Sequence, residues 1–351
     1  MTWTKRTARQ WFCGAGSVAA IVFAAPAFAA NAQTVTVYTA LQAEQLPVYQ
    51  KAFEEKYPNI QIDWVRGTPA EITAKLLSEK GDPKADVIWG LGASYLMQLD
   101  KNGQLEHYRP AGFEMIKDDF KDRRTGWPTW VGMDAWANAI CFNTKLAAEK
   151  KIPKPTAWKD LLNPVYKGQV VMPNPSSSDT GFLSVSGWIQ TFGETGSWDF
   201  MDLLHDNVVT YLHSGAKACA AVATGDTAVG ISFAYAGVKL ANNGSPVEVI
   251  FPKEGLGWEM EATAVVKGTL HLQAAQAVAD FSASADANKL YNSYYQILAR
   301  SDVTAILPDN YPAGEEEDLI TPNHFPEIAA QRQNILEQWE KRYGDKNAPK
   351  S

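Results

Sequence analysis

Cysteine and histidine are scarce in this sequence of 351 residues, which holds three cysteines and five histidines. The histidines show neither H-x-x-H nor H-E-x-x-H spacing, and C-x-x-C is missing, so the sequence carries no metal-site motif. A nucleophile elbow and a Ser–His–Asp order are also missing, and no histidine lies near Ser176–Ser178 in the sequence to act as a base. We therefore expect no metal, no other cofactor and no catalysed reaction, and a periplasmic hydrolase or transferase is the disfavoured rival.

Long apolar runs are missing as well. After residue 32, no stretch approaches the ~18 uncharged residues that a membrane helix needs. Near the N-terminus, Lys5, Arg6 and Arg9 precede a short apolar core, and Ala27–Ala29 has the A-x-A pattern of a cleavage site. Residues 1–32 are therefore expected to be a secretory signal peptide, and the mature protein is expected in the periplasm, without direct membrane insertion.

Positively charged residues are fewer than negatively charged ones in this sequence. The signal peptide carries three of the 32 basic residues and no acid, which leaves 29 basic against 39 acidic residues, a net charge of −10 for the mature chain. This balance argues against nucleic acid or an anionic membrane surface as a partner. An anion site in this protein must therefore be a local pocket, because the net charge does not steer anions toward it.

Two cysteines remain after Cys13, which lies within the signal peptide. Cys141 and Cys219 both stand in apolar sequence, where buried free thiols are common. Export also permits a disulfide between them, although their spacing says nothing about its geometry. Both states stay open at this point.

Predicted strands alternate with predicted helices, which indicates an α/β architecture with largely parallel sheets. The strands are expected at 34–38, 60–65, 85–89, 168–172, 208–212, 229–233 and 247–251. Two longer segments, 127–143 and 258–266, are long enough to cross between domains, and about 320 residues suffice for two domains. The C-terminal part is expected to be helical over 272–284, 285–299 and 328–343.

Small and hydroxyl residues follow several of these strands. Pro173–Gly181 holds three serines, a threonine and a glycine, while Thr39, Gly90–Ser94 and Ser214–Lys217 occupy similar positions. Ligands of open α/β sheets lie beyond the C-terminal ends of the strands, where helix N-termini present unpaired N–H groups that suit a phosphate-like anion. The alternative is that each serine or threonine simply caps its helix.

Five segments together resemble the substrate-binding proteins of ABC importers, in the cluster that holds ferric-iron, thiamine, sugar-phosphate and phosphonate binders. They are Val35–Ala40, Ala85–Trp89, Ile140–Lys145, Pro155–Leu161 and Gly168–Gly181, and the resemblance runs in order through essentially the whole mature chain. Within the cluster, Gly90–Asp100 together with Trp258–Glu261 resembles the 2-aminoethylphosphonate-binding proteins.

The resemblance implies a two-lobed type II periplasmic binding protein fold with two crossover hinge strands. Lobe 1 would comprise residues 33–133 and 260–351, and lobe 2 would comprise residues 134–259. The protein would capture a small zwitterionic phosphonate, 2-aminoethylphosphonate, in the cleft between the lobes. It would act as a monomer that delivers this ligand to an ABC permease and its ATPase.

Such a ligand needs two kinds of contact. Hydroxyl and backbone N–H donors suit the phosphonate, whereas a carboxylate or an aromatic face suits the ammonium group. The residues expected to line the site are Tyr38, Thr39, Ala40, Trp89, Ser94, Ser177, Ser178, Thr180, Gly181, Tyr235, Trp258 and Glu259. Glu261 and Asp134 are further candidates for the acid, and Lys217 for an added positive charge. A hinge or surface role is the alternative for each acid, and Trp89 and Trp258 fit the core equally well.

Other ligands of the cluster stay open: another phosphorylated small molecule, ferric iron or a polyamine. Iron binders of the cluster have adjacent tyrosines where this chain has Ala234-Tyr235, and the pair Tyr294-Tyr295 is expected to pack within a C-terminal helix. One tyrosine without a histidine or carboxylate cluster is a poor ligand set for ferric iron. A polyamine would require several acids and no serine-rich anion site, so Pro173–Gly181 argues against it.

Overall fold

The computed structural model describes residues 1–4, 32–122 and 127–349. The predicted signal peptide therefore lies almost wholly outside the described residues. The fold below belongs to the unit that spans Ala32–Ser351.

The first half of this unit alternates strands and helices, as the sequence predicts. Its elements are β1 (Gln33–Thr39), α1 (Leu46–Lys56), β2 (Ile60–Arg66), α2 (Pro69–Ser78), β3 (Val87–Gly92), α3 (Ala93–Lys101), β4 (Val131–Asn143), α4 (Thr144–Lys150), β5 (Val170–Pro173) and α5 (Asp179–Asn207). Helix α5 is interrupted at Gly193, whose φ of 74° and ψ of 167° are not helical.

The second half continues the alternation and ends in helices. Its elements are β6 (Val208–Leu212), α6 (Gly215–Thr224), β7 (Val229–Phe233), α7 (Ala234–Asn242), β8 (Val247–Ile250), β9 (Trp258–Val265), α8 (Leu272–Ser282), α9 (Ala285–Tyr291), β10 (Ile297–Leu298) and α10 (Phe325–Tyr343). In the described part of the chain, no helix combines the length and the apolar character needed to cross a bilayer.

The strands form a sheet in the order β2-β1-β3-β9-β4-β7-β5-β6, with β8 and β10 also paired to β4. The pairs β1–β2, β1–β3, β5–β6 and β5–β7 are parallel, whereas β9 and β4 pair antiparallel to their neighbours. The two parallel groups therefore flank the two long strands β4 and β9. This arrangement confirms the predicted α/β architecture. The expectation of largely parallel sheets is wrong, because β4 and β9 make five of the nine strand pairs of the described residues antiparallel.

Strand β4 belongs to both halves of the sheet. Its residues from Val131 to Ala137 pair with β9, and those from Asn138 to Asn143 pair with β7 and β8. The predicted crossover of 127–143 is therefore present. The chain returns between β8 and β9, where the carbonyl of Gly257 accepts from the backbone N–H of Asn138 (2.9 Å).

Two large apolar regions lie on either side of this crossing. One gathers residues of β1, β3 and β9 with α1, α2, α3 and α8, and the other surrounds β5, β6 and β7. The C-terminal helix α10 contributes Ile328, Ile335, Trp339 and Tyr343 to the second region and Phe325 to the first. We therefore propose that α10 packs against both lobes. For the rest of the chain we keep the predicted lobe boundaries as a proposal.

The predicted helix 285–299 is wrong beyond Tyr291. Helix α9 ends there because the Asn292 side chain bonds the loop instead, accepting from the backbone N–H of Ile306 (2.7 Å). The chain then enters β10, which pairs with β4. This change moves Tyr294 and Tyr295 from a helix into a loop.

Cys141 and Cys219 form a disulfide that joins β4 to α6, with their Cα atoms 5.5 Å apart. Both residues are fully buried. Of the two states that the sequence leaves open, the structure has the bridged one.

Candidate functional site

A cleft of about 590 Å³ lies where the C-terminal ends of the parallel strands from both halves of the sheet meet. The loops after β1 and β2, together with Gly90 and Gly92 of β3, form one wall, and the helix starts after β5, β6 and β7 form the other. Ligands of open α/β sheets occupy this position, because the helix N-termini point their free N–H groups there.

The second wall presents neutral hydrogen-bond donors. Ser178 precedes α5 and Ser214 precedes α6, yet neither side chain bonds the first turn of its own helix. Thr180 lies beside Gly215, where a Cβ would stand only 2.4 Å from the threonine hydroxyl oxygen. The glycine therefore allows the two helix starts to approach each other. Their hydroxyl and N–H groups together suit an anion, so this second wall is called the anion wall below.

Ser177 on this wall has a partner that the sequence did not reveal. Its hydroxyl oxygen lies 2.9 Å from His213 Nδ1, and His213 Nε2 lies 2.8 Å from the carbonyl oxygen of Ala348. The expectation that Ser176–Ser178 lacks a nearby base is therefore wrong for Ser177. The sequence does not predict this pair, because 36 residues separate Ser177 from His213.

The floor of the cleft comes from the crossing strands β4 and β9. Asp134 stands opposite Glu261 and Trp136 opposite Glu259 in the antiparallel pairing, so the four side chains share one face. Glu261 and Trp136 line the cleft, and Asp134 lies fully buried beside them. This face provides the acidic part of the site.

Glu261 is the carboxyl that reaches the cleft. The Tyr295 hydroxyl donates to its Oε1 atom (3.0 Å). Burial raises the pKa of Glu261 to about 8, although the tyrosine hydrogen bond acts in the opposite direction. Burial, and then the negative charge of Glu261, raise the pKa of Asp134 well above its usual value. The empty cleft therefore favours a protonated pair, and an arriving cation would favour the ionised form.

Four aromatic rings line the same cleft as this carboxyl, and one of them, Tyr295, bonds it. Trp136 and Tyr295 lie with ring centroids 6.5 Å apart, and Tyr235 meets Tyr294 edge-on at 6.3 Å. All four line the cleft. The prediction that Tyr294-Tyr295 packs inside a helix is therefore wrong, because α9 ends before them. Aromatic faces around a carboxylate are a suitable environment for an ammonium group.

A second polar cluster lies behind the anion wall. Arg332 of α10 bonds Asp179 (3.2 Å) and is stacked between the rings of Phe182 (3.8 Å) and Tyr95 (4.3 Å). The Tyr95 hydroxyl also donates to Asp179 (2.5 Å). Since Asp179 lies at the start of α5 on the anion wall, Arg332 offsets a negative charge that would repel an anion.

Metal binding has little support in the side chains. Among the residues that the structure describes, no group of three or more histidine, cysteine, aspartate or glutamate side chains could hold a metal ion. The cleft is lined by three tyrosines, Tyr235, Tyr294 and Tyr295, so the expectation of one tyrosine is wrong, and burial raises the pKa of each phenol.

The comparisons with known proteins agree with this architecture. The family model described as "Bacterial extracellular solute-binding protein" matches residues 82–316. The chain belongs to this family. An uncharacterized protein of Haemophilus influenzae is 28% identical over 303 residues, which are 82% of this chain and 84% of that protein. A probable ABC transporter periplasmic-binding protein, y4fP of Sinorhizobium fredii, is 25% identical over 309 residues, 82% of each chain.

A solved structure supports the same fold. The periplasmic binding protein AfuA from Actinobacillus pleuropneumoniae, solved with fructose-6-phosphate bound, is 25% identical with a TM-score of 0.79. The likeness covers 89% of this chain and 99% of AfuA. This solute-binding protein therefore has the two-lobed type II fold that the sequence resemblance implied.

Five of the twelve predicted site residues of this solute-binding protein line the cleft. They are Ala40, Ser177, Ser178, Thr180 and Tyr235. The cleft adds residues outside this predicted set of twelve, and these are Trp136, His213, Ser214, Tyr294, Tyr295 and Arg66. Glu261 was a further candidate for the acid. Small-residue turns after strands were the useful signal for Ser214, whereas nothing local marks Trp136 as a cleft residue.

Three predicted residues near β1 and β3 are part of the interior instead. The hydroxyl of Tyr38 donates to Glu79 (2.9 Å), and the hydroxyl of Thr39 accepts from Leu41 N (3.1 Å), so Thr39 does not cap α1. Trp89 is fully buried, and its indole N–H donates to the Tyr291 hydroxyl (3.0 Å). The core alternative is therefore correct for Trp89.

Four others lie behind the cleft rather than in it. Ser94, Trp258 and Glu259 line a separate cavity of only about 10 Å³, and the Trp258 indole donates to the carbonyl of Ile320 (2.9 Å). Gly181 is packed against the Pro173 carbonyl, 2.6 Å from where a Cβ would stand. Burial raises the pKa of Glu259 to about 7.

Proposed function

We propose that this protein captures 2-aminoethylphosphonate in the periplasm and delivers it, as a monomer, to the permease and ATPase of an ABC importer. One observation carries the proposal: a single cleft is lined by neutral hydroxyl and N–H donors, by a buried carboxyl and by four aromatic rings. Ser178 and Ser214 are among the anion donors. Glu261 is the carboxyl, and Trp136 is one of the aromatic rings. A small zwitterion with a phosphonate and an ammonium group satisfies both.

The anion wall suits a phosphonate because hydroxyl groups and two helix N-termini line the cleft there. Two helices begin there, and their N-terminal N–H groups have no intrahelical partner. The one acid at this helix start, Asp179, is held by Arg332 and Tyr95. The wall therefore favours an anion although the mature chain is acidic.

The floor suits an ammonium group because the carboxyl there lacks a positive partner. Glu261 receives a hydrogen bond from Tyr295, but its Oε2 atom has no partner among the described residues. An ammonium group in contact with Glu261 would stabilise the carboxylate and lower its pKa. The faces of Trp136 and Tyr235 would add cation–π attraction.

Binding without catalysis fits the Ser177–His213 pair. In a catalytic triad, a carboxylate orients the histidine and stabilises its charged form. Here the backbone carbonyl of Ala348 occupies that position. We therefore expect no turnover of a chromogenic ester, which would distinguish this protein from a hydrolase.

A phosphorylated sugar is the second candidate. AfuA binds fructose-6-phosphate on the same fold, and a cleft of about 590 Å³ lies within the usual range for small-molecule sites. Such a ligand would use the anion wall and leave Glu261 without a countercharge. Ferric iron and polyamines are the remaining alternatives, and each would use only the floor.

A fluorescence titration tests these alternatives together. Trp136 lines the cleft, so a bound ligand should change its emission. The ligand-stripped protein is titrated with 2-aminoethylphosphonate, fructose-6-phosphate, ferric citrate and spermidine, and Trp136→Phe controls for the source of the signal. We expect a saturable response to 2-aminoethylphosphonate. A response to another member of this panel and none to 2-aminoethylphosphonate would contradict the proposal.

A further inference from the structure

The hydrogen bonds of His213 determine its tautomer. The Ala348 carbonyl only accepts, so Nε2 of His213 must carry the hydrogen of the 2.8 Å bond between them. In a neutral imidazole, Nδ1 is then an acceptor, and the Ser177 hydroxyl donates to it over 2.9 Å. Ser177 consequently presents only lone pairs to the cleft while His213 is neutral.

The C-terminal segment keeps this chain of hydrogen bonds in place. Ala348 N donates to the carbonyl of Tyr211 (2.9 Å), which lies on β6 two residues before His213. Asn347 accepts from the side chain of Asn174 (2.7 Å), and Asn174 in turn accepts from Ser176 N (2.7 Å). The same segment thus supports both the histidine and the loop that carries Ser177.

We propose that His213 is a positioning residue of the anion wall, and that its protonation converts Ser177 from a hydrogen-bond acceptor into a donor. A proton from solvent adds to Nδ1, whose N–H then donates to the Ser177 oxygen. The Ser177 hydrogen is released from the histidine and turns toward the bound anion. When His213 is neutral before binding, binding of a phosphate or phosphonate group through Ser177 is therefore accompanied by uptake of one proton. This inference rests on the proposed anion site.

Other charged groups share the cleft and influence its pH response. Asp179 is already paired with Arg332, and Lys239 lies 4.0 Å from Glu44 across the mouth of the cleft. The charged groups that line the cleft are Glu44, Arg66, Glu71, Asp179, Lys239 and Glu261, and Asp345 and Lys346 lie in the C-terminal segment. Glu261 titrates in the same range as histidine, so the test includes a probe without an ammonium group.

The first experiment compares dissociation constants by calorimetry between about pH 8 and about pH 5, where histidine side chains titrate. The probes are inorganic phosphate and 2-aminoethylphosphonate, and the proteins are the wild type, Ser177→Ala, His213→Gln and the double variant. The glutamine can accept from Ser177 and donate to Ala348, but it cannot take up a proton. Titration of the probe itself affects all four proteins equally.

We expect the affinity lost through Ser177→Ala to grow about tenfold as the pH falls, because Ser177 donates a charge-assisted hydrogen bond only beside a protonated His213. In the His213→Gln background the loss should not depend on pH. A pH-independent loss in the wild-type background would overturn the inference, since a merely structural histidine gives that result.

A second experiment needs no ligand. NMR of the protein labelled with ¹⁵N at its five histidines reports the tautomer of each ring, and His213→Gln assigns the signal. We expect neutral His213 to carry its hydrogen on Nε2, and hydrogen on Nδ1 would overturn the inference.

The outcomes separate this inference from the proposed function. Binding of 2-aminoethylphosphonate with no role of His213 in the pH profile would refute the inference alone. Binding of phosphate with the expected pH profile, but not of 2-aminoethylphosphonate, would support the inference and refute the proposed ligand. Binding of neither probe would refute both.

Discussion

Asp134 and Glu261 stand opposite each other where β4 and β9 cross the middle of the sheet. Asp134 is fully buried, and neither of its carboxyl oxygens has a hydrogen-bond partner among the described residues. Two neighbouring buried carboxyls cannot both ionise without a large electrostatic cost. We infer that the pair keeps at least one proton in the empty protein and exchanges it for the positive charge of a ligand.

The first prediction compares two glutamates on the same strand. Glu261→Gln should lower the affinity for 2-aminoethylphosphonate more than that for ethylphosphonate, by about tenfold or more, because the ammonium group loses its countercharge. Glu259→Gln is the matched control, since Glu259 lies outside the cleft. Calorimetry with both ligands measures the difference. Equal losses for the two ligands in Glu261→Gln would remove this residue from the ammonium site.

The second prediction concerns pH. The pKa of Glu261 is raised to about 8, so below that value the empty protein holds a proton that an ammonium ligand must displace. The ratio of affinities for 2-aminoethylphosphonate and ethylphosphonate should therefore increase with pH up to about 8 and then level off. The ammonium group also lowers the pKa of the phosphonate in the same ligand, so the same ratio is measured in Glu261→Gln, and only the increase that this variant lacks is assigned to Glu261. A ratio that stays flat in the wild type would show that Glu261 does not exchange a proton for the ligand.

The raised pKa of Glu261 also predicts how the stability of the fold depends on pH. Stability should fall as the pH rises, whereas the affinity ratio should increase. A carboxyl whose pKa is higher in the folded protein than in the unfolded chain stabilises the fold at low pH. That contribution is lost as the pH rises from about 4.5 to about 8. Glu261→Gln should flatten this part of the stability profile, and denaturant unfolding at several pH values checks it.

The third prediction uses two hydroxyls that line the cleft. Ser214 has no bond to the first turn of its helix, whereas Thr68 forms a capping box with Glu71 at the start of α2. Ser214→Ala should weaken phosphonate binding by roughly 1–3 kcal/mol at nearly unchanged stability. Thr68→Ala should instead lower the free energy of unfolding by about 1 kcal/mol and leave binding nearly unchanged. The reverse pattern in calorimetry and unfolding would place the anion on the opposite wall.

The sequence predicted the framework of the fold because its signals are local. Strands such as Val208–Leu212 and Val229–Phe233 have the predicted bounds, and the long crossing segment is confirmed as β4. These elements follow from apolar patterns and turn residues within a few positions of each other. The resemblance to importer binding proteins agrees with the family match.

The sequence could not predict in the same way which side chains of a buried strand face the cleft. The predicted strand 85–89 ends at Trp89 and is almost wholly apolar, and such a run does not indicate which side chain meets the ligand. Gly90, with φ at 78°, introduces an irregularity that lets β3 continue to Gly92 instead of turning after Trp89. Trp89 therefore packs against Tyr291 of α9, far along the sequence.

The contacts that site residues make with distant parts of the chain could not be predicted from the sequence either. Glu259 and Glu261 have the same local sequence signal, and the packing of α3, α5 and α10 around Glu259 separates them. Helical spacing continues past Tyr291, so the sequence predicts a helix at Tyr294 and Tyr295. Long-range contacts, which a single sequence does not encode visibly, decide these cases.

The fourth prediction concerns the bridge between Cys141 and Cys219. It closes a loop with a sequence separation of 78 residues, and a disulfide stabilises mainly by restricting the unfolded chain. The double variant Cys141→Ala/Cys219→Ala should lose about 2–4 kcal/mol of stability in denaturant unfolding. Reductant should destabilise the wild type by a similar amount and leave the variant unaffected. Insensitivity of the wild type to reductant under unfolding conditions would contradict the bridge.

The central claim is that one cleft recognises both ends of a zwitterionic phosphonate. Calorimetry of the refolded, ligand-stripped protein with 2-aminoethylphosphonate, ethylphosphonate and inorganic phosphate tests it most directly. We predict tight binding of the first and clearly weaker binding of the other two, since only the first has both a phosphonate and an ammonium group. Equal affinity for all three would contradict the ammonium site, and no binding of any would contradict the phosphonate assignment itself.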